Sequence, residues 1–231
     1  MIEKKHLDTS YLISKTTNIF DIEDEACADY VARFKSSKKF IAAFRKSYDF
    51  LLAYHGTNID ENEALVIKSH GLKIASIEML TSKAGMRFIK ETDDEMLKEK
   101  ILNSISEFYS TKDHITVGEI NFTLDKDPLQ GEAYQYLLFG PESMLPLADS
   151  LNKDFNINFR RRMADFGIPT IVKVHVPLTD IKNCWLEGIF EYINHGWVES
   201  CVVIRANVPP VNVLALERVE RPCDKYGFLG I

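Results

Sequence analysis

Asp49-Phe50-Leu51-Leu52-Ala53-Tyr54-His55-Gly56-Thr57 is the stretch on which the reading of this chain turns. Asp49 to Tyr54 reads as a short buried strand, and His55-Gly56-Thr57 as the polar turn that closes it. Asp60-Glu61-Asn62-Glu63 follows, a capping residue with Glu at the third position after it, which predicts a helix start. The helix should run to His70, where Gly71 can take a left-handed closing conformation. Far along the chain, Trp197-Val198-Glu199-Ser200-Cys201-Val202-Val203-Ile204 sets a lone carboxylate at the head of a β-rich run. A carboxylate entering an apolar strand is expensive unless it is paired or faces a cleft.

Composition sets the frame. The chain has 231 residues, of which 45% are hydrophobic and 27% charged, the profile of an ordinary globular protein. That length can bury a core without metals or disulfides to hold it. The expected organisation is an N-terminal helical segment, residues 1–48, packed on one larger domain, residues 49–231. The four cysteines, Cys27, Cys184, Cys201 and Cys223, are widely spaced with no C-x-x-C pair. This argues against a zinc site and against a disulfide framework. Cys201, inside an apolar run, reads as a buried thiol. No apolar run reaches the ~20 residues a membrane helix needs, and the N-terminus lacks a secretory apolar region. A cytoplasmic protein that avoids membranes is therefore expected. The net charge of −6 does not advertise nucleic-acid binding. Arg160-Arg161-Arg162 is the local exception, read as a solvated turn or, alternatively, a phosphate contact.

Elsewhere, residues 18–48 read as two helices. Cys27, Tyr30, Val31 and Phe34 recur at the helical period, as do Phe40, Ile41 and Phe44 after Ser36-Ser37. Thr92-Asp93-Asp94-Glu95 has the capping-box pattern, and Leu97, Ile101, Ile105 and Phe108 stripe the helix behind it. Ile115 to Leu124 alternates as a strand does, and Tyr136-Leu137-Leu138-Phe139 is a second candidate strand stopped by Gly140-Pro141. Thr170 to Val176 is β-branched and ends at Pro177. Asp180 to Asn194 reads as a helix, and Val198–Arg205 and Val211–Leu216 as strands. Helices early and strands concentrated late indicate an α+β fold. His70, His114, His175 and His195 stand without chemical company and read as structural. Glu187 and Glu191 read as solvated, Trp185 and Trp197 as core.

Three of these segments, in this order, resemble the ADP-ribosyltransferase superfamily, in the branch with a His-Gly-Ser/Thr motif that includes poly(ADP-ribose) polymerases and diphtheria-type toxins. The first is Leu51 to Thr57 with its following helix and Gly71-Leu72. The second is Glu119-Ile120-Asn121-Phe122-Thr123-Leu124 with Tyr134 beyond it. The third is Glu199 to Val208 followed by Val211 to Leu216. Together they span most of residues 49–218. The resemblance implies a split β-sheet fold around an NAD cleft. It further implies that His55 holds a ribose hydroxyl and that Gly56 offers backbone N–H and C=O to the nicotinamide carboxamide. Thr57 would add a hydroxyl, Tyr134 would stack on nicotinamide, and Glu199 would be the catalytic carboxylate. Asn121 or Phe122 stands where the family usually has its first tyrosine, a departure within the second segment.

The implied chemistry breaks the bond between nicotinamide and ribose, with no metal and with NAD as substrate. Positive charge develops on the sugar, and Glu199 stabilises it beside the ribose hydroxyls. Position 197 is Trp, so the Glu-x-Glu or Gln-x-Glu pattern of arginine-modifying members is missing. The acceptor then falls among RNA, single-stranded DNA and other protein side chains, as in a bacterial toxin or phage-defence effector. Such a role leaves room for a neutralising antitoxin partner. An NAD glycohydrolase and an inactive relative that binds NAD or a partner are the alternatives. The related tRNA 2′-phosphotransferase reading is disfavoured by the Glu199 strand.

Overall fold

The computed structural model describes residues 19–20, 26–111, 117–195, 201–224, 227 and 229. Trp197, Glu199 and His114, all singled out above, lie outside the described residues, as do the first residues of the strands expected from Ile115 and Val198. Among the described residues, six strands form one mixed but largely antiparallel sheet with helices on both faces. No helix among them is long and apolar enough to cross a membrane.

The sheet is organised around β2, Phe50–Ile59. Its antiparallel partner β4, Ile168–Pro177, matches it along its whole length, from Phe50↔Pro177 to Ile59↔Ile168. His55-Gly56-Thr57 is therefore the middle of a strand rather than the turn after one. The pairing with β4 decides this, since a partner of equal length satisfies the backbone groups that a turn would leave open. The sheet order is β5-β3-β2-β4-β6, with β3 at Ile120–Thr123, β5 at Cys201–Ile204 and β6 at Val213–Arg218. A two-residue β1, Ile19–Phe20, joins β2 in parallel at its start.

Residues of β2 alternate between two cores. Leu51, Ala53 and Ile59 face a core shared with Val172, Val174 and Val176 of β4. Phe40 and Phe44 of α2 (Ser37–Ser47) and Leu186 and Ile189 of α10 (Asn183–His195) complete it, joined by Val31 of α1 (Ala26–Val31). Phe40 and Phe44 stack with ring centroids 4.9 Å apart, and Phe20 meets Phe44 edge-on at 4.7 Å. The described part of residues 1–48 thus shares its core with the sheet. Leu52 and Tyr54 face the other way, toward Leu129 and Leu137. Beyond them lies a helical layer built from α4 (Ile77–Ile89), α5 (Glu95–Thr111), α7 (Gln135–Phe139), α8 (Leu145–Phe155) and α9 (Phe159–Phe166). The short α6, Asp127–Gln130, leads into α7.

Local signals fix several elements. The helix α3, Glu61–His70, begins with a complete capping box: Glu63 N–H donates to Asp60 Oδ1 at 2.8 Å, and the Glu63 carboxylate accepts from Asp60 N–H. Gly71 closes it at φ +77°, and a Cβ there would lie 1.9 Å from the Val208 carbonyl oxygen. The glycine is required twice, for its dihedral and for the chain passing over it. The helix α5 starts where expected, but Asp94 rather than Thr92 caps it, accepting from Met96 and Leu97 N–H at 2.9 and 3.2 Å. Thr92 instead receives a hydrogen bond from Arg162 at 2.7 Å.

Three further expectations are corrected. Tyr136 to Phe139 belongs to α7, not to a strand; a four-residue apolar run carries no period that separates the two. Asn58 Nδ2 and Arg87 Nη1 take up carbonyls at its end, Leu138 O at 2.6 Å and Phe139 O at 2.9 Å. The arginine trio sits on the helix α9 rather than in a turn, and each arginine has a partner within the chain, although Arg161 remains exposed. Arg160 grips Asp149 at 2.6 and 2.7 Å, Arg161 pairs with Asp165 at 2.6 Å, and Arg162 reaches the Phe88 carbonyl as well as Thr92. Cys201 is half-buried at the start of β5, not fully enclosed.

Candidate functional site

Where β2 passes β3, the sheet parts. Strand β3 pairs with β2 at Tyr54↔Thr123, while it remains paired with β5 from Thr123↔Cys201 to Ile120↔Ile204. Tyr54, Thr123 and Cys201 therefore form one row across three adjacent strands. His55 follows this row on β2, and Asn121 precedes it on β3, where it pairs with Val203 of β5; Glu199 precedes Cys201 by two residues in the sequence and lies outside the described residues. The strands β2, β3 and β5, which carry the first two segments and the start of the third, are neighbours, whereas Val213 to Leu216, the end of the third, runs on β6 beyond β4.

His55 lines the parting. Its Nδ1 lies 2.9 Å from the Asn121 carbonyl oxygen, and its ring meets Phe122 edge-on with centroids 5.9 Å apart. A carbonyl only accepts, so Nδ1 carries the proton and Nε2 presents a lone pair. Burial pushes the imidazole below the usual histidine range; the bond to Asn121 works against this, and the Lys83 charge adds to it. Near neutral pH the neutral ring is therefore favoured, and Nε2 is the nitrogen that can accept a hydrogen bond from a hydroxyl.

Gly56 follows a different logic. Tyr54 O accepts from Thr123 Oγ1 at 3.3 Å, and Asn58 O accepts from Arg87 Nη2 at 2.7 Å. Alternate residues of a strand direct their backbone groups to the same edge. Gly56, between these two, therefore turns its N–H and C=O toward the gap that β3 leaves. Its Cα face is covered: a Cβ would lie 2.8 Å from Leu129 Cδ2 and 3.3 Å from Tyr136 Cβ. Thr57 is buried opposite Thr170, and the Asn121 residue is exposed.

Tyr134 is not brought into this group. It is 1% exposed within the helical core, and its hydroxyl donates to Asp224 at 2.9 Å. Tyr136 is the tyrosine that touches Gly56, half-buried, with its hydroxyl donating to Glu142 at 2.8 Å. The spacing of tyrosines in sequence did not separate the two, because the turn leading into α7 sets which one faces β2.

A polar unit missed in the sequence flanks the gap. Arg87 of α4, fully buried, spans Asn58 O, Phe139 O and the Glu63 carboxylate, the last at 3.2 Å. Lys83, one turn earlier, pairs with the other Glu63 oxygen at 3.0 Å. Burial would raise the Glu63 carboxyl, but Arg87 and Lys83 outweigh it and hold it below the usual range. The Lys83 and Arg87 spacing was visible, but nothing local marked their shared partner. Among the described residues, no group of three His, Cys, Asp or Glu side chains is placed to hold a metal ion. Comparison of the chain with protein-family models, curated proteins and solved structures gave no match.

Proposed function

We propose that this protein is an NAD-dependent ADP-ribosyltransferase that cleaves the nicotinamide–ribose bond and transfers ADP-ribose to a macromolecular acceptor. One observation carries the reading: the His-Gly-Thr strand, the Asn121 strand and the strand that Glu199 leads into are consecutive neighbours, and the first two part at His55. The gap offers complementary groups. His55 Nε2 accepts from a ribose hydroxyl, and the Gly56 N–H and C=O match the acceptor and donor of a carboxamide. Glu199 supplies negative charge as the glycosidic C–N bond breaks, the pair of electrons leaving with nicotinamide and the acceptor's nucleophile adding to the sugar carbon. The acceptor's proton passes to Glu199 or to solvent.

A second reading, an inactive relative that binds NAD or a partner, draws on the burial of Tyr134 and on Asn121 in place of a tyrosine. Nicotinamide release separates them. The purified protein should release nicotinamide from NAD, stimulated by RNA, single-stranded DNA or protein extract according to its acceptor. Glu199→Gln should lower that rate by about 100-fold or more while NAD still binds. Release that is equal with and without any acceptor would make the protein a glycohydrolase. Release that is unaffected in Glu199→Gln would refute the assignment of the carboxylate.

A further inference from the structure

The unit beside the gap sets two cations on one shared carboxylate, Glu63, while the neighbouring Asp60 carboxylate is taken by the Glu63 N–H. Arg87 and Lys83 contribute two cations, and Glu63 is the carboxylate that both of them meet, at 3.2 and 3.0 Å. Glu63 is further committed to the Asp60 N–H of the capping box. Arg87 is closed off: its side chain is 0% exposed, and it is tied to two backbone carbonyls. Lys83 is the open end of the unit, with 25% of its side chain exposed. Its position is also fixed relative to the gap. Arg87 holds the Asn58 carbonyl on the same edge of β2 toward which Gly56 points, and Lys83 precedes Arg87 by one helical turn on α4. The Lys83 charge is felt at His55. A cation held in place by a carboxylate that another cation already shares is a ready partner for an anion, since its neutralisation is incomplete and its ordering is already done.

We propose that Lys83 is a diphosphate-binding residue, which receives the pyrophosphate group of a dinucleotide at the mouth of the β2–β3 gap, with Glu63 and Arg87 holding the ammonium in position. The identification of that dinucleotide as NAD rests on the transferase reading; the anion site itself does not. A nucleic-acid acceptor could bring phosphate to the same lysine, and the two sources are separable.

The test uses the full chain as wild type, Lys83→Met and Lys83→Arg, titrated with inorganic pyrophosphate, ADP-ribose, adenosine and a single-stranded RNA oligonucleotide. Binding is followed calorimetrically and through the His55 ring resonances, with thermal unfolding as the control for folding. Lys83→Met should weaken pyrophosphate and ADP-ribose by about tenfold or more, Lys83→Arg should retain both, and adenosine should be unaffected. Equal pyrophosphate and ADP-ribose affinity in wild type and Lys83→Met overturns the proposal, as does a loss confined to RNA. Nicotinamide release on the same preparations keeps the two readings apart. Lys83-dependent pyrophosphate binding without NAD cleavage upholds the anion site and sinks the transferase. NAD cleavage with an unchanged KM in Lys83→Met does the reverse.

Discussion

His175 should make this protein lose stability in mild acid, by an amount that one substitution removes. The residue sits on β4 opposite Leu52, is 2% exposed, and packs against the Phe50 ring with centroids 5.8 Å apart. Its Nδ1 has no hydrogen-bond partner among the described residues. Burial, with the Lys173 charge adding to it, pushes the imidazole from 6.5 down to about 4. The folded state thus favours the neutral ring. Stability from this preference is complete above the unfolded value of 6.5 and is lost as pH falls toward the folded value of about 4. Integrated over that window, the loss is about 3 kcal/mol, with about 2 kcal/mol already gone at pH ~5. His175→Phe keeps a ring against Phe50 and removes the titration. Urea unfolding of both proteins should show the wild type losing about 2 kcal/mol more than the variant between pH ~7.5 and ~5. In thermal unfolding the gap in Tm should change by roughly 4–8 °C over the same range. Parallel stability profiles for the two proteins would refute the account, because carboxylates that also titrate in acid, such as Glu63 and Asp165, are common to both.

Three further substitutions probe the backbone and the ion-paired unit around the gap. Gly71 and Gly118 have nearly the same φ, +77° and +78°, but a Cβ at Gly71 would strike the Val208 carbonyl while one at Gly118 would meet nothing within 4 Å. Gly118→Ala should therefore cost about 1 kcal/mol, for the dihedral alone, and Gly71→Ala roughly 3 kcal/mol or more, read from urea midpoints. Arg87→Met should cost roughly 3–5 kcal/mol, because it strands the Asn58 and Phe139 carbonyls and removes one of the two cations that Glu63 meets; a loss below ~1 kcal/mol would show that these groups find other partners.

What the sequence by itself determined is what neighbouring residues decide among themselves. Asp60 and Glu63 specify the start of α3 because both ends of the capping box lie within one turn. Ile101 and Ile105 specify the buried face of α5, and the β-branched run from Thr170 to Val176 specifies β4, each through its own period. The mixed α+β class followed from these. The helix α4 was not anticipated, although the Ser76 cap and Leu80, Ala84 and Phe88 at four-residue intervals stand in the sequence; Gly85 within it weakens that signal. Tertiary structure decided the rest, wherever a residue's partner lies far along the chain. Strand β2 continues through His55-Gly56-Thr57 because β4, more than a hundred residues later, pairs with every residue of it. Arg160 and Arg162 became internal clasps because α9 lies against the carboxylate of Asp149 and the carbonyl of Phe88. The parting at His55, the turn that exposes Tyr136 to Gly56 and buries Tyr134, and the meeting of Lys83 and Arg87 on Glu63 all arise from packing. Periodicity and capping report which face of an element is apolar, but a hydrogen bond or ion pair across elements exists only once the sheet and its helices have fixed the distance between them.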